Sequence, residues 1–196
     1  MITTTVKISN SGAGMKEALA LTEKIGQENG LDRKAVLHLR LLSEELFGML
    51  RSITGEVESD YWLENDDNKY ELHLKTEANL TEEMKKQLYS ASTSGKNDAA
   101  KGFMGKIKLM LVNAFTSAKE NLPYAVMNTA NSYAPSAAAN AATWSLSGYK
   151  EELRKNDGEK SEAWDELEKS IVASIANDVR VTVIGKTAEI IIDKAF

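Results

Sequence analysis

Between residues 31 and 53 the chain reads LDRKAVLHLRLLSEELFGMLRSI, with apolar side chains at Ala35, Val36, Leu39, Leu42, Leu46, Met49, Leu50 and Ile53. This spacing, held for about five turns, predicts an amphipathic helix with one buried face. Asp32 precedes it as an N-cap. Successive residues turn by about 100°, which points Glu44 away from the buried face and leaves Glu45 on its edge. An edge carboxylate either reaches water or looks into a cleft, so Glu45 is the residue whose surroundings matter most. His38 lies two turns earlier on nearly the same side, where packing is the simplest role and a relay to Glu45 the other.

The flanking pattern alternates between periods. TTTVKI at residues 3–8 is β-branched and alternating, a strand, followed by the glycine-containing turn of residues 9–14. Residues 15–29 repeat at helical spacing and end at Asn29-Gly30. Residues 56–64 and 70–76 read as a hairpin around the turn Asn65-Asp66-Asp67-Asn68. In its second strand Tyr70, Leu72 and Leu74 face one way, while Glu71, His73 and Lys75 face a wet side. No role is expected for His73. Short helical patterns follow at 81–91 and 102–119. Residues 121–143 hold both prolines and an Ala/Asn/Ser-rich tract, and read as an insertion or lid excursion. Residues 144–154 and 159–177 look helical. Residues 179–184 and 187–193 form a closing hairpin around Gly185-Lys186. Trp62, Trp144 and Trp164 are expected as core or interface residues. The sum is one α+β domain over residues 1–196: a two-layer sandwich with a mixed, mainly antiparallel sheet of about five strands and helices on one face.

Composition narrows the classes without choosing among them. The 196 residues are 42% hydrophobic and 27% charged, ordinary for a globular domain, and carry a net charge of −5. That charge, with no basic cluster, argues against nucleic-acid binding and a polybasic membrane anchor. No apolar run approaches the roughly 20 residues needed to span a bilayer, and the N-terminus carries no signal-peptide pattern, so a cytoplasmic location is expected. The chain has no cysteine, which excludes disulfides, thiolate metal sites and cysteine nucleophiles. With two histidines and no ligand spacing, no metal site is expected.

The stretch STSGKNDAAKGFMGKI, residues 92–107, carries the strongest chemical pattern. Gly95, Gly102 and Gly105 permit close backbone approach, and Lys96, Lys101 and Lys106 supply positive charge. Ser94 and Asn97 add polar groups, and Gly102 leads into a predicted helix N-terminus, where N–H groups favour phosphate. The glycine spacing is not that of a P-loop. Two readings stand: a phosphate-binding loop, or a polar loop whose glycines serve packing.

The order strand, helix, long helix with LLSEELFGML, together with the ending WDELEKSIVASIANDVRVTVIGKTAEIIIDKAF, resembles the histidine-kinase-like ATPase superfamily and its Bergerat ATP-binding fold. Within it, the chain looks most like the anti-sigma-factor serine-kinase branch. The resemblance implies an ATP-binding regulatory protein, with ATP or ADP bound by Ser94, Gly95, Lys96, Asn97, Lys101, Gly102, Gly105 and Lys106. It implies Glu45 as the base that activates water or a hydroxyl, a regulatory protein partner, and a homodimer. Two positions depart from the family. Met49 stands where an asparagine would hold Mg²⁺, and a thioether is no useful ligand for that ion. Residues 76–80, TEANL, lack the Asp-x-Gly-x-Gly that reads adenine. These departures define the alternative: a non-catalytic pseudo-ATPase serving as a protein-binding regulatory module.

Overall fold

The computed structural model describes residues 1–51, 57–77, 107, 141–156, 162–184 and 187–196. The expected helix at 81–91, that at 102–119 apart from Ile107, and residues 121–140 of the expected excursion lie outside them. The chain begins with strand β1 (Val6–Ser9), followed by helices α1 (Met15–Glu28) and α2 (Arg33–Arg51). A hairpin of β2 (Glu58–Asp66) and β3 (Lys69–Glu77) comes next. After β4 (Ala141–Ser145) come the helices α3 (Leu146–Asn156), α4 (Glu162–Glu168) and α5 (Ile171–Ile175). Strands β5 (Asp178–Ile184) and β6 (Thr187–Ala195) close the chain.

The six strands among the described residues join one open sheet in the order β1-β2-β3-β6-β5-β4, and every neighbouring pair is antiparallel. The architecture is α+β, as the period changes predict, but with six strands rather than about five and no parallel pair among them. The additional strand is β4, which occupies the end of the Ala-rich tract and includes Trp144, expected to be helical. It pairs with β5 at the sheet edge, Trp144 opposite Val181. Ser145 then ends it: its Oγ accepts from the Gly148 N–H at 3.1 Å, an N-cap that starts α3 at Leu146. The helix expected over 159–177 is two, because Ser170 opens a second N-terminus by accepting from the Ala173 N–H.

The period of two sends alternate strand residues to opposite faces. Val6, Ile8, Tyr61, Leu63, Tyr70, Leu72, Leu74, Val179, Val181, Ile190 and Ile192 are buried on the helix side, against Leu39, Leu42, Leu46 and Leu50 of α2. Asp32 caps α2 as predicted, its Oδ1 accepting from the Ala35 N–H at 2.7 Å. Glu44 is exposed and Glu45 half-buried, in agreement with the helical wheel. β6 lies between β3 and β5, which explains the unbroken Ile190-Ile191-Ile192 of a central strand.

Three hydroxyls are sealed where α1, α2 and β2 meet. The Tyr61 OH lies 2.7 Å from Thr22 Oγ1 and 2.9 Å from Ser43 Oγ, and Thr22 and Ser43 also donate to the helix carbonyls of Ala18 and Leu39. Burial of Tyr61 pushes its phenol from about 10 up to about 12, with the two hydroxyls opposing that rise. The unfolded chain therefore loses this proton near pH 10, while the folded chain keeps it until about pH 12. Stability contributed by this group is complete below pH 10 and falls as pH rises through that window, by about 3 kcal/mol. Tyr61→Phe is expected to cost about 1 kcal/mol at pH 7 and to remove most of the alkaline loss between pH 10 and 12. Denaturation at a series of pH values checks this; an unchanged alkaline slope would assign the loss to other groups.

Candidate functional site

The hairpin of β2 and β3 turns at Asp67-Asn68, where Asp67 takes φ 53°. An asparagine or aspartate tolerates this left-handed backbone better than other side chains do. The turn fixes the register, with Asp66 opposite Lys69, Glu64 opposite Glu71 and Trp62 opposite His73. Beyond β3 the same two rows continue onto β6 and β5. His73 faces Ile191, which faces Arg180, and Glu71 faces Asp193. Trp62, Glu64, Glu71, His73, Glu189, Asp193 and Arg180 thus share the sheet face away from α1 and α2.

His73 corrects an expectation. The alternation places it on the polar face, yet it is 5% exposed. Trp62 covers it, the two rings stacked 12° from parallel with centroids 4.6 Å apart. Its Nδ1 lies 3.1 Å from Glu189 Oε1, and its Nε2 lies 3.3 Å from Glu71 Oε2 and 3.7 Å from Glu64 Oε1. Nε2 is buried and makes no hydrogen bond. The carboxylates are held from behind. Trp62 Nε1 donates to Glu64 Oε1 at 3.0 Å, and Arg180 Nη2 donates to Glu71 Oε1 at 2.8 Å. Arg180 also grips Asp193 through Nε and Nη2 at 2.9 and 2.7 Å. Hydrogen bonding to Asp193 is the largest cause that raises the Arg180 guanidinium above its ordinary range, with Glu71 adding to it. The cluster is preorganised by cross-strand partners rather than by loops.

The residues singled out by sequence fare differently. Glu45 sits half-buried on α2, on the helix side, so the sheet separates it from the His73 cluster. Met49, one turn on, is buried. His38 stacks on the ring of Phe196, centroids 6.5 Å apart, which gives it a packing contact at the C-terminus. Ser94, Gly95, Lys96, Asn97, Lys101, Gly102, Gly105 and Lys106 lie outside the described residues. The next residue, Ile107, is fully buried and belongs to the same core as Leu39 and Leu72. Trp144 and Trp164 pack against that core, whereas Trp62 lies on the opposite face.

No helix among the described residues is long and apolar enough to cross a membrane. No family model matches the chain, and no curated protein or solved structure matches it.

Proposed function

We propose that this chain is an ATP- or ADP-binding regulatory protein of the histidine-kinase-like type, and that it binds nucleotide without turning it over. The observation that carries the reading is the pairing of β3 with β6. It joins the N-terminal unit β1-α1-α2-β2-β3 to the C-terminal hairpin in one antiparallel sheet with α2 packed on its inner face, the two-layer arrangement that the resemblance implies. Burial of Ile107 supports it further, because it anchors in the core the residue that follows Lys106, the last residue proposed to hold phosphates.

The second half of the proposal, binding without turnover, rests on Met49. A buried thioether one turn after Glu45 offers Mg²⁺ no oxygen ligand. The proposed Glu45 would then have no metal-held phosphate to work on. The regulatory role would come from a protein partner that distinguishes the nucleotide-bound from the free state.

Calorimetry with ATP and with ADP, each with and without Mg²⁺, tests both halves. Binding is expected at one site per chain, with an affinity that does not depend on Mg²⁺, and prolonged incubation is expected to release no phosphate. Absence of binding to either nucleotide overturns the proposal. A strong Mg²⁺ requirement overturns the non-catalytic half, and Glu45→Gln would then be expected to stop phosphate release while leaving binding intact.

A further inference from the structure

The His73 cluster calls for an occupant. Glu189 is a carboxylate and accepts, so the neutral imidazole carries its proton on Nδ1 and presents a lone pair at Nε2. That lone pair is buried, makes no hydrogen bond, and faces the oxygens of Glu71 and Glu64 at 3.3 and 3.7 Å. Three acceptors turned toward one another repel unless a proton on Nε2 or a metal cation stands between them.

The spacing says what kind of group fits. Ligand atoms about 2.0–2.2 Å from a tetrahedral zinc ion lie roughly 3.3–3.6 Å from each other. The 3.3 Å from Nε2 to Glu71 falls on that edge and the 3.7 Å to Glu64 lies just beyond it, and one donor atom from each of Glu64, Glu71 and His73 falls within 4.8 Å of the others. An imidazole and two carboxylates make a zinc-like donor set. The outer partners are also those of a metal centre. Glu189 holds the imidazole by its far nitrogen, while Arg180 and Trp62 orient the two glutamates. Arg180 pairs with Asp193 and with Oε1 of Glu71, which leaves Oε2 of Glu71 turned toward His73.

We propose that His73 Nε2, Glu71 and Glu64 bind one divalent cation of the zinc type on the sheet face opposite α1 and α2. The ion joins β2 to β3, and three protein donors leave the fourth tetrahedral position to water or to an oxygen or nitrogen ligand. The proposal does not depend on nucleotide binding, since the sheet lies between this face and Glu45.

The test uses the full chain stripped with chelator and titrated with Zn²⁺, and separately with Co²⁺. Calorimetry is expected to saturate at one equivalent. Co²⁺ is expected to give the visible absorption of a tetrahedral site. The stacked Trp62 makes its fluorescence a local reporter of the ion. His73→Gln should weaken Zn²⁺ binding more than 100-fold, and Glu189→Gln, which touches only the far ring nitrogen, about 10- to 100-fold. Glu64→Gln serves as the mildest ligand change, with circular dichroism and thermal melting to verify its fold. Lack of Zn²⁺ binding by the unmutated chain overturns the site. So does binding that survives both His73→Gln and Glu64→Gln, or binding that His38→Gln abolishes, because each places the ion elsewhere.

Discussion

Gly14→Ala is expected to destabilise the protein by more than about 3 kcal/mol, a large part of the stability of an ordinary domain. Gly14 is the residue from which α1 departs, with φ 72°. An L side chain in that left-handed region costs about 1–2 kcal/mol from the backbone alone. Steric overlap with β1 costs more. A Cβ at Gly14 would stand 2.0 Å from the carbonyl oxygen of Lys7, a main-chain atom of β1 that cannot rotate away. Either β1 or the start of α1 must shift. β1 is held in register with β2 through Lys7 opposite Asp60 and Ile8 opposite Ser59, while α1 is anchored by the buried Met15 and Ala18. Gly30 provides the matched comparison. Its φ is 75°, but a Cβ there meets nothing within 4 Å, so Gly30→Ala should cost only about 1–2 kcal/mol. Urea denaturation of both variants separates backbone strain from steric overlap, provided the slopes with denaturant stay equal. Equal losses would mean that the dihedral angle alone matters and that the close approach of β1 is relieved at little cost.

The parts of this fold that sequence predicts are those in which a local period and a local signal agree. α2 holds seven of the eight apolar positions at helical spacing, Ala35 to Leu50, and an aspartate cap, and it forms with its cap in place. The closing hairpin has alternating valines and a two-residue glycine turn, and Ile184 does pair with Thr187. β4 escapes because it opens on Ala141-Ala142, which carry little strand preference, and leaves only Thr143 and Trp144 as strand formers. It becomes a strand by lying beside β5, a pairing that no local window contains. Ser145 was a readable sign, since a serine three residues before Gly148 could cap a helix beginning at Leu146. The split between α4 and α5 has a similar sign in Ser170.

His73 was hidden by a one-residue difference in where the first hairpin turns. A four-residue turn at 65–68 is centred between Asp66 and Asp67 and sets Trp62 against Glu71. The two-residue turn at Asp67-Asn68 moves the centre by one residue, and the pairs become Trp62 with His73 and Glu64 with Glu71. That change brings two carboxylates and an imidazole together, with an indole stacked over the ring. Burial of a histidine on a nominally wet face then follows from its cross-strand neighbour, which alternation along one strand cannot reveal. The lysine- and glycine-bearing stretch is the opposite case. Its chemistry is plain in the sequence, while the residues that carry it lie outside those described, so its role must be tested through binding.

Joint replacement Lys96→Ala and Lys101→Ala should weaken binding of an ATP analogue severely. In the proposed site both ammonium groups answer phosphate charge. Truncating one partner of a charge-assisted hydrogen bond to alanine costs about 1.5–3 kcal/mol, roughly 10- to 150-fold in affinity for each lysine. ADP should suffer less than ATP, because it carries less phosphate charge for the lysines to answer. Removing two positive charges also lowers the attraction of the whole protein for an anion, a weak effect at physiological salt. Lys16→Ala with Lys34→Ala removes the same charge from exposed positions on α1 and α2 and should leave affinity nearly unchanged. Raising the salt concentration should narrow any small difference seen in this control while leaving most of the loss at Lys96 and Lys101, since direct ion pairs are screened less than distant charges. Equal affinity of the Lys96/Lys101 variant and the unmutated chain removes the phosphate role from this stretch. A loss matched by the Lys16/Lys34 control would make it a property of net charge. A large loss confined to Lys96 and Lys101 makes the stretch the phosphate end of a nucleotide site, with Glu45 and the buried Met49 on α2 left as the test of whether anything happens to the nucleotide once bound.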